Sequence, residues 1–414
     1  MAGAPADGIA VRRLLVLGAG AAQLGLLAAA RDRGLFVVAA DRDPAAPGFR
    51  FADRRALVSA EDEQGLERLA EAERIEGVIA PGIDWPVAIA ARIAERHALP
   101  HPLSPAAAVL ATSKLRQRQR FREAGVPQPR WEVCRSLEEA RAAASELGYP
   151  VVVKAPDRQG QRGLGLVRSA DDLEAAAGEA LGASRSALCI VEEYVPGGEI
   201  TVNGFSVRGR FVPLTVTDRV VAEPPAFGVA LAHVWPSALE PVQIGAAVDA
   251  ASAAAEAVGI EDGPTYTQIL ATDEGPKVVE LAARLGGGHD AELCRAALGV
   301  DLNGLALAAA LGEEVEEAAL LPRARHGGAC VRFLVAPPGP LAQVHGVEEA
   351  LALEGVELAR VYRAPGTILG PLRRGADRAG AVLAVGATRE EALERADAAA
   401  RLIRFEIADA GALV

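Results

Sequence analysis

Between residues 12 and 100 the chain alternates short apolar runs with longer helical stretches. The runs are LLVLGAG, LFVVAAD, the ALVSA segment and GVIAPG. This alternation is the pattern of a parallel sheet covered by helices, which fixes the fold class as α/β at this end of the chain. Pro100-His101-Pro102-Leu103-Ser104-Pro105 then breaks the rhythm and suits a boundary.

Beyond it, the spacing predicts a helical piece over about 106–125, stopped by Gly125-Val126-Pro127-Gln128-Pro129. From 131 to about 195 the order reads strand, helix, strand, Gly-rich loop, strand, helix, strand. Strands near 200–206, 211–217 and 266–281 bracket a helix near 241–258, and one helix is expected through about 289–312. From about 325 the strand-like ACVRFLVAP, ELARVYRAP and AVLAVGAT precede a helical REEALERADAAARLIRF. No repeat of 20 to 50 residues is present.

Composition narrows the function classes. The 414 residues suffice for about two to four domains. At 50% apolar and 24% charged the chain is not mainly disordered. A net charge of −12 repels phosphate backbones, and Lys114–Arg122 reads as a solvated helix face, so no nucleic-acid partner is expected. Cys134, Cys189, Cys294 and Cys330 are widely spaced, matching neither a metal motif nor a disulfide framework, which points to a reducing compartment. Arg12-Arg13 before LLVLGAGAAQLGLLAAA has the look of an export signal. The same residues also read as strand, Gly turn and helix, and Gln23 interrupts the apolar run. A cytoplasmic protein with no membrane span is therefore expected. Three lysines stand against forty arginines, so Lys114, Lys154 and Lys277 each call for a reason.

Four segments carry chemistry. Gly18-Ala19-Gly20-Ala21-Ala22-Gln23 with Asp41 allows either dinucleotide binding or a plain structural turn. Lys154 ends Val151-Val152-Val153 and opens a loop containing Gly160, Gly163 and Gly165. An ammonium beside a mobile Gly-rich loop suits a triphosphate, although no Walker sequence is present; the alternative is a hairpin with a charged tip. In Cys189–Glu199 a strand ends in Glu192 and Glu193, followed by Val195, a Gly turn and Glu199. Such acids can serve a purine amino group and ribose hydroxyls, or form a solvated hinge. Finally, two adjacent strands over 263–283 would set Gln268 beside Glu280, two oxygen donors for Mg²⁺. Arg284 follows where a cation could hold an anionic intermediate, and Gly286-Gly287-Gly288 leave room for substrate and backbone donors.

In order and spacing these four segments resemble the ATP-grasp superfamily over most of the chain. TSKLRQRQRFREAGVPQPRW is similar to the family segment in which a Lys precedes R-x-x-x-x-G-[VI]-P-x-P. The resemblance implies an ATP-grasp fold of three parts. These are an N-terminal Rossmann-like domain over 1–105, a two-part ATP-binding domain over 106–322 (106–195 with the phosphate lid, 196–322 with the metal site), and a small α+β domain over 323–414. It implies phosphate contacts from Lys114 and Lys154 and a lid spanning Asp157–Gly165. Glu192 would sit at the adenine amino group, the backbone of Glu193 and Val195 at the base, and Glu199 at ribose. Gln268 and Glu280 would hold Mg²⁺, with Mn²⁺ as a substitute, and Arg284 would steady an acyl-phosphate. A homodimer is the assembly the family suggests.

The implied reaction joins a carboxylic acid to an amine through an acyl-phosphate, releasing ADP and phosphate. The stretch His233–Leu239, ELAARLGGGHD and the C-terminal segment look similar to L-amino-acid ligases and phosphoribosylglycinamide-synthetase-like enzymes, so small acid and amine substrates are expected. His233, Gly286, Gly287 and His289 are the substrate-side residues this implies, with a buried, hydrogen-bonded role as the alternative for His233. Asp290 reads as a helix cap. Two departures stand out: Ala282 occupies the position where many members carry a metal-binding Asn, and Gln268 replaces the commoner Glu. They keep open a purine-type or carbamoyl-phosphate-type enzyme, or a catalytically weakened nucleotide-binding protein. A nicotinamide-dependent oxidoreductase rests only on residues 12–41.

Overall fold

The computed structural model describes residues 11–323 and 325–408. It opens with β1 (Arg13–Leu17), α1 (Leu24–Asp32), β2 (Phe36–Ala40), β3 (Arg54–Ala56), α2 (Glu63–Glu73), β4 (Gly77–Ile79) and α3 (Trp85–Arg96). The four strands form a parallel sheet in the order β3-β2-β1-β4. Successive side chains of a strand point to opposite faces. Leu15 and Leu17 accordingly enter one apolar core, and Leu14 and Val16 another.

The helix-rich stretch expected over about 106–125 consists of two helices, α4 (Pro105–Thr112) and α5 (Lys114–Ala124). Ser113 separates them with extended backbone, and its hydroxyl accepts from Arg116 N–H at the start of α5. A small unit follows, made of β5 (Trp131–Cys134), α6 (Leu137–Leu147), β6 (Val151–Lys154), β7 (Leu164–Val167), α7 (Ala170–Ala183) and β8 (Cys189–Glu193). Its antiparallel sheet has the order β5-β8-β6-β7, and Val151, Val153, Leu173, Ala177 and Val191 fill a core of its own.

β9 (Gly198–Val207), β10 (Arg210–Val221), β11 (Ala230–Trp235), α8 (Pro241–Val258), β12 (Gly263–Thr272) and β13 (Gly275–Ala282) come next. The single helix expected over 289–312 is instead α9 (Asp290–Leu298) and α10 (Leu302–Ala310), bent by 120°. Gly299 leaves α9 in the left-handed region at φ +72°, and Asp301 caps α10 by accepting from Gly304 N–H at 3.2 Å. No single helix among the described residues is long and apolar enough to cross a membrane.

The chain ends with β14 (Gly328–Leu334), β15 (Gly339–His345), α11 (Val347–Leu351), β16 (Val356–Val361), β17 (Ile368–Leu369), β18 (Gly380–Gly386), α12 (Arg389–Leu402) and β19 (Arg404–Ile407). The helix expected through RLIRF stops at Leu402, because Arg404–Ile407 pairs with β15. The eight-stranded sheet has the order β13-β12-β9-β10-β11-β14-β18-β16 and so runs straight across residues 322/323. The boundary that the resemblance implies there is one that strand pairing runs across.

Gly328 lies where β14 meets the β18–α12 turn. A Cβ there would stand 2.2 Å from the Thr388 carbonyl oxygen, a backbone atom that cannot swing away. Gly328→Ala is expected to destabilise the protein by about 1–3 kcal/mol, read as a lower unfolding midpoint in urea.

Candidate active site

Three elements meet at the site: the start of α5, the loop between β6 and β7, and the β12–β13 hairpin. Lys114 is the first residue of α5. Its Nζ donates to Glu280 Oε1 at 2.9 Å and to the Arg158 carbonyl of the loop at 2.9 Å. One ammonium thus ties helix, loop and hairpin together. Burial pushes the Lys114 pKa down, but the charges of Glu280 and Asp84 outweigh it and hold it above its ordinary value.

Gln268 and Glu280 are cross-strand partners, as the two-strand reading expected. Gln268 Nε2 donates to Glu199 Oε2 at 2.9 Å, which leaves its carbonyl oxygen for another partner. Lys114 engages Oε1 of Glu280 and not Oε2. An amide oxygen and a carboxylate oxygen side by side are hard donors of the kind Mg²⁺ takes together with phosphate oxygens. Among the described residues no three His, Cys, Asp or Glu side chains gather as a self-sufficient metal site. Glu199, expected at ribose, also lies 3.3 Å from Arg219 Nε. Ala282 is buried opposite Tyr266 in the hairpin.

Lys154 and Glu192 are neighbours on paired strands, and their side chains lie 2.7 Å apart. The other oxygen of Glu192 accepts from Arg118 Nε at 2.7 Å, and Arg118 Nη1 donates to the Val278 carbonyl at 2.7 Å. One expectation is corrected here. Arg118 is 1% exposed, so Lys114–Arg122 is not simply a solvated face: Gln117, Arg118 and Phe121 point inward. Their spacing from Lys114, at i+3, i+4 and i+7, was the helical signal for this. Glu192, expected at the adenine amino group, here takes one cation on each of its two oxygens. Burial pushes the Lys154 pKa down to about 8 even with Glu192 beside it. Glu193 binds Arg130 through its carboxylate, and its backbone N–H donates to Arg130 O. Val195 follows the end of β8.

The loop between β6 and β7 spans residues 155–163. Gly160 and Gly163 hold φ +65° and +66°, which a side chain rarely adopts. Gly165, expected in the lid, is instead a β7 residue paired with Val153. The loop is docked. Gln159 Oε1 accepts from Asp84 N–H at 2.6 Å, and Gln161 Oε1 accepts from Gly375 N–H at 3.0 Å.

Arg284 donates through Nε to Asp84 Oδ1 at 2.6 Å and lies 5.8 Å over the Tyr266 ring. The Gly286–Gly288 loop behind it leaves less room than expected. A Cβ on Gly286 would meet Asp290 Oδ2 at 2.1 Å, and one on Gly288 would meet His233 Cε1 at 2.5 Å. Protein side chains fill that space, while Gly287 faces the Gly82 carbonyl oxygen. His233 is buried with Nδ1 3.2 Å from Asp290 Oδ1, and burial lowers its pKa. Asp290 is held at about 2: burial opposes this, but His233 outweighs it together with the Gly288 N–H, which donates at 3.1 Å. That N–H lies in the preceding loop, so Asp290 braces the loop and does not cap its own helix. His289 stands between Glu292 and Tyr362.

Sequence reasoning missed Asp84, Gln159, Gln161, Arg118, Arg219, Glu292, Tyr362 and Arg378. Arg118 is marked by its inward spacing, Glu292 by its place three residues after His289, and Gln159 and Gln161 by lying in the expected lid; the others matter through partners distant in the chain. The N-terminal turn resolves as structural. Asp41 accepts from Ala19 N–H at 2.8 Å and buried Gln23 donates to Pro81 O at 2.7 Å.

Glu192→Ala would leave Arg118 and Lys154 buried without their shared counter-charge. A loss of about 3–5 kcal/mol is expected, measured by urea unfolding without nucleotide.

Comparison with known proteins agrees with this geometry. The ATP-grasp domain model matches residues 119–284, and the L-amino acid ligase C-terminal domain 2 model matches residues 332–408. An uncharacterized protein y4rH of Sinorhizobium fredii is 30% identical over 332 residues, 78% of this chain and 67% of that one. A formate-dependent phosphoribosylglycinamide formyltransferase of Burkholderia vietnamiensis is 27% identical over 95% of both chains. The crystal structure of an L-amino acid ligase from Bacillus licheniformis superposes with a TM-score of 0.81 at 19% identity, covering 96% of this chain and 99% of that one. The chain belongs to the ATP-grasp superfamily and carries the C-terminal domain type of L-amino acid ligases.

Proposed function

We propose that the protein is an ATP-dependent ligase that activates a small carboxylic acid, an amino acid first among them, as an acyl-phosphate and transfers it to an amine. The observation that carries this is the Lys114 ammonium shared between Glu280 and the Arg158 carbonyl of the docked loop. It joins a cation, a metal-type carboxylate and a phosphate-type loop at one point. In this reading Lys114 and Lys154 bind ATP phosphates, Gln268 and Glu280 hold Mg²⁺, and the backbone near Val195 meets the base. Mg²⁺ in that position supplies charge neutralisation on the triphosphate. Arg284 aligns the substrate carboxylate and spreads the negative charge of the acyl-phosphate, while Asp84 fixes the plane of its guanidinium. The loop from 155 to 163 excludes water, protecting an intermediate that water would destroy.

A second reading, an acid as small as formate joined to a phosphorylated amine, is favoured by the end-to-end match to the formyltransferase. One assay separates the two: phosphate release from ATP across a panel of amino acids, formate and amines. The proposal expects release that needs both an acid and an amine. Tight ATP binding with no turnover on any pair would overturn it. Arg284→Lys keeps the charge but loses the fork, so turnover should fall on the order of 100-fold with little change in ATP affinity.

Lys154 gives a pH test. Its folded pKa, about 8, lies below the ordinary lysine value. The buried ammonium therefore costs stability below pH 8, and that cost is relieved as pH rises from there towards the ordinary value. For binding the sign is opposite. ATP needs the ammonium, so affinity should hold below pH 8 and weaken above it, by up to about tenfold per pH unit. Titration calorimetry in buffers of different ionisation heat should detect proton uptake on binding near pH 8–9, and Lys154→Ala should abolish it.

A further inference from the structure

We propose that Glu292, His289 and Tyr362 form a proton relay that deprotonates the incoming amine, a role that rests on the ligase reading above. An aliphatic amine at neutral pH is mostly ammonium and has no lone pair, so attack on an acyl-phosphate needs a base. The groups assigned so far have other duties: Lys114 and Arg284 are cations, Lys154 is buried against Glu192 and serves phosphate in the ligase reading, Glu280 is paired with Lys114, and His233 is buried against Asp290.

His289 ends the Gly286–Gly288 loop, five residues beyond Arg284, and holds φ +60° in the left-handed region. A residue held there without being glycine points to a constraint on its side chain. Its Nδ1 lies 3.4 Å from Glu292 Oε1, and its Nε2 lies 2.5 Å from the Tyr362 hydroxyl. The two rings stack with centroids 5.9 Å apart and planes at 26°. A carboxylate only accepts, so Nδ1 carries the ring proton and Nε2 accepts from the phenol. Arg360 Nη1 donates to the same Oε1 of Glu292 at 3.2 Å. The order carboxylate, imidazole, hydroxyl is that of a hydrolase triad, with the difference that the terminal phenol passes a proton and does not attack.

The relay also faces the right place. Tyr362 N–H donates to Ala379 O at 2.8 Å, which ties its backbone to the residue after Arg378. The glycine loop that His289 ends faces, through Gly287, the carbonyl of Gly82, two residues before the Asp84 that holds Arg284. Arg378 Nε donates to Gly375 O at 2.8 Å, and Gly375 is the residue that docks Gln161 of the loop. The docked loop therefore closes onto the same wall that carries the relay.

In the step, a proton passes from the ammonium to the Tyr362 oxygen as the phenol proton passes to His289 Nε2. The nitrogen pair forms the C–N bond while the C–O bond to phosphate breaks, and phosphate leaves with that pair and the second amine proton. The imidazolium, balanced by Glu292, then returns its proton to solvent.

The test compares two acceptors with any acid that supports turnover: an aliphatic amine such as an amino acid, and hydroxylamine, which keeps a free lone pair at neutral pH. Tyr362→Phe and His289→Asn should lower amide formation about 100-fold, and hydroxamate formation at least about tenfold less severely. Equal losses with both acceptors, or no loss of amide formation, would overturn the relay. Tyr362→Phe removes a single oxygen, so it tests the idea even where Glu292→Gln loosens the pairing with Arg360. A wild-type chain that makes neither product with any acid would sink the ligase reading itself, an outcome distinct from the first.

Discussion

The site depends on one buried charge cluster. Arg118 from α5, Lys154 from β6 and Glu192 from β8 share a single carboxylate, and Arg118 reaches on to the Val278 carbonyl of β13. Two cations and one anion are taken out of water together, which is tolerable only because each has a partner. The cluster leaves a net positive charge in a chain whose total is −12. It also fixes the small unit, which has its own core, to the hairpin carrying Gln268 and Glu280. Lys114 does the same one helical turn earlier, through Glu280 and Arg158. The two lysines differ because their neighbours differ. Glu280 and Asp84 hold Lys114 firmly charged, while Lys154 shares Glu192 with a permanently charged guanidinium.

Around this cluster, the chemistry is assembled from three directions. The segment after β4 contributes Asp84, the hairpin and the residues just past it contribute Glu280 and Arg284, and the segment between β16 and β18 contributes Tyr362 and Arg378. Asp84 serves twice, orienting Arg284 through its carboxylate and docking Gln159 through its backbone. The loop from 155 to 163 touches both ends of the chain at once, at Asp84 and Gly375. Its position is therefore sensitive to how the outer parts sit, and the glycines at 160 and 163 supply the left-handed backbone its docked path needs.

Much of this is legible in the sequence where the signal is local. The strand–helix alternation, Lys154 at the end of an apolar strand, and Gln268 opposite Glu280 are all set by periodicity and short spacing. Sequence expectations fail where a distant partner decides. Lys114–Arg122 looks solvated because every second residue is basic, yet Glu192, 74 positions beyond Arg118, pulls Arg118 inside. The glycines at 286 and 288 suggest space, but His233 and Asp290 fill it. Gly165 looks like lid, but Val153 pairs it into a strand. The helix over 289–312 looks continuous because its apolar content is, while Gly299 and the Asp301 cap turn it.

The sequence by itself determined the α/β class, the order of elements, the family resemblance and the pairing of the metal-type donors. These follow from periodicity, turn chemistry and motifs that act within a few residues. Tertiary structure alone decided which charged groups are buried together, which of two lysines titrates near neutrality, and that a C-terminal phenol meets His289. Burial and counter-charge are properties of neighbours in space, and Arg118 with Glu192, Arg284 with Asp84 and His289 with Tyr362 are 74, 200 and 73 residues apart in the chain.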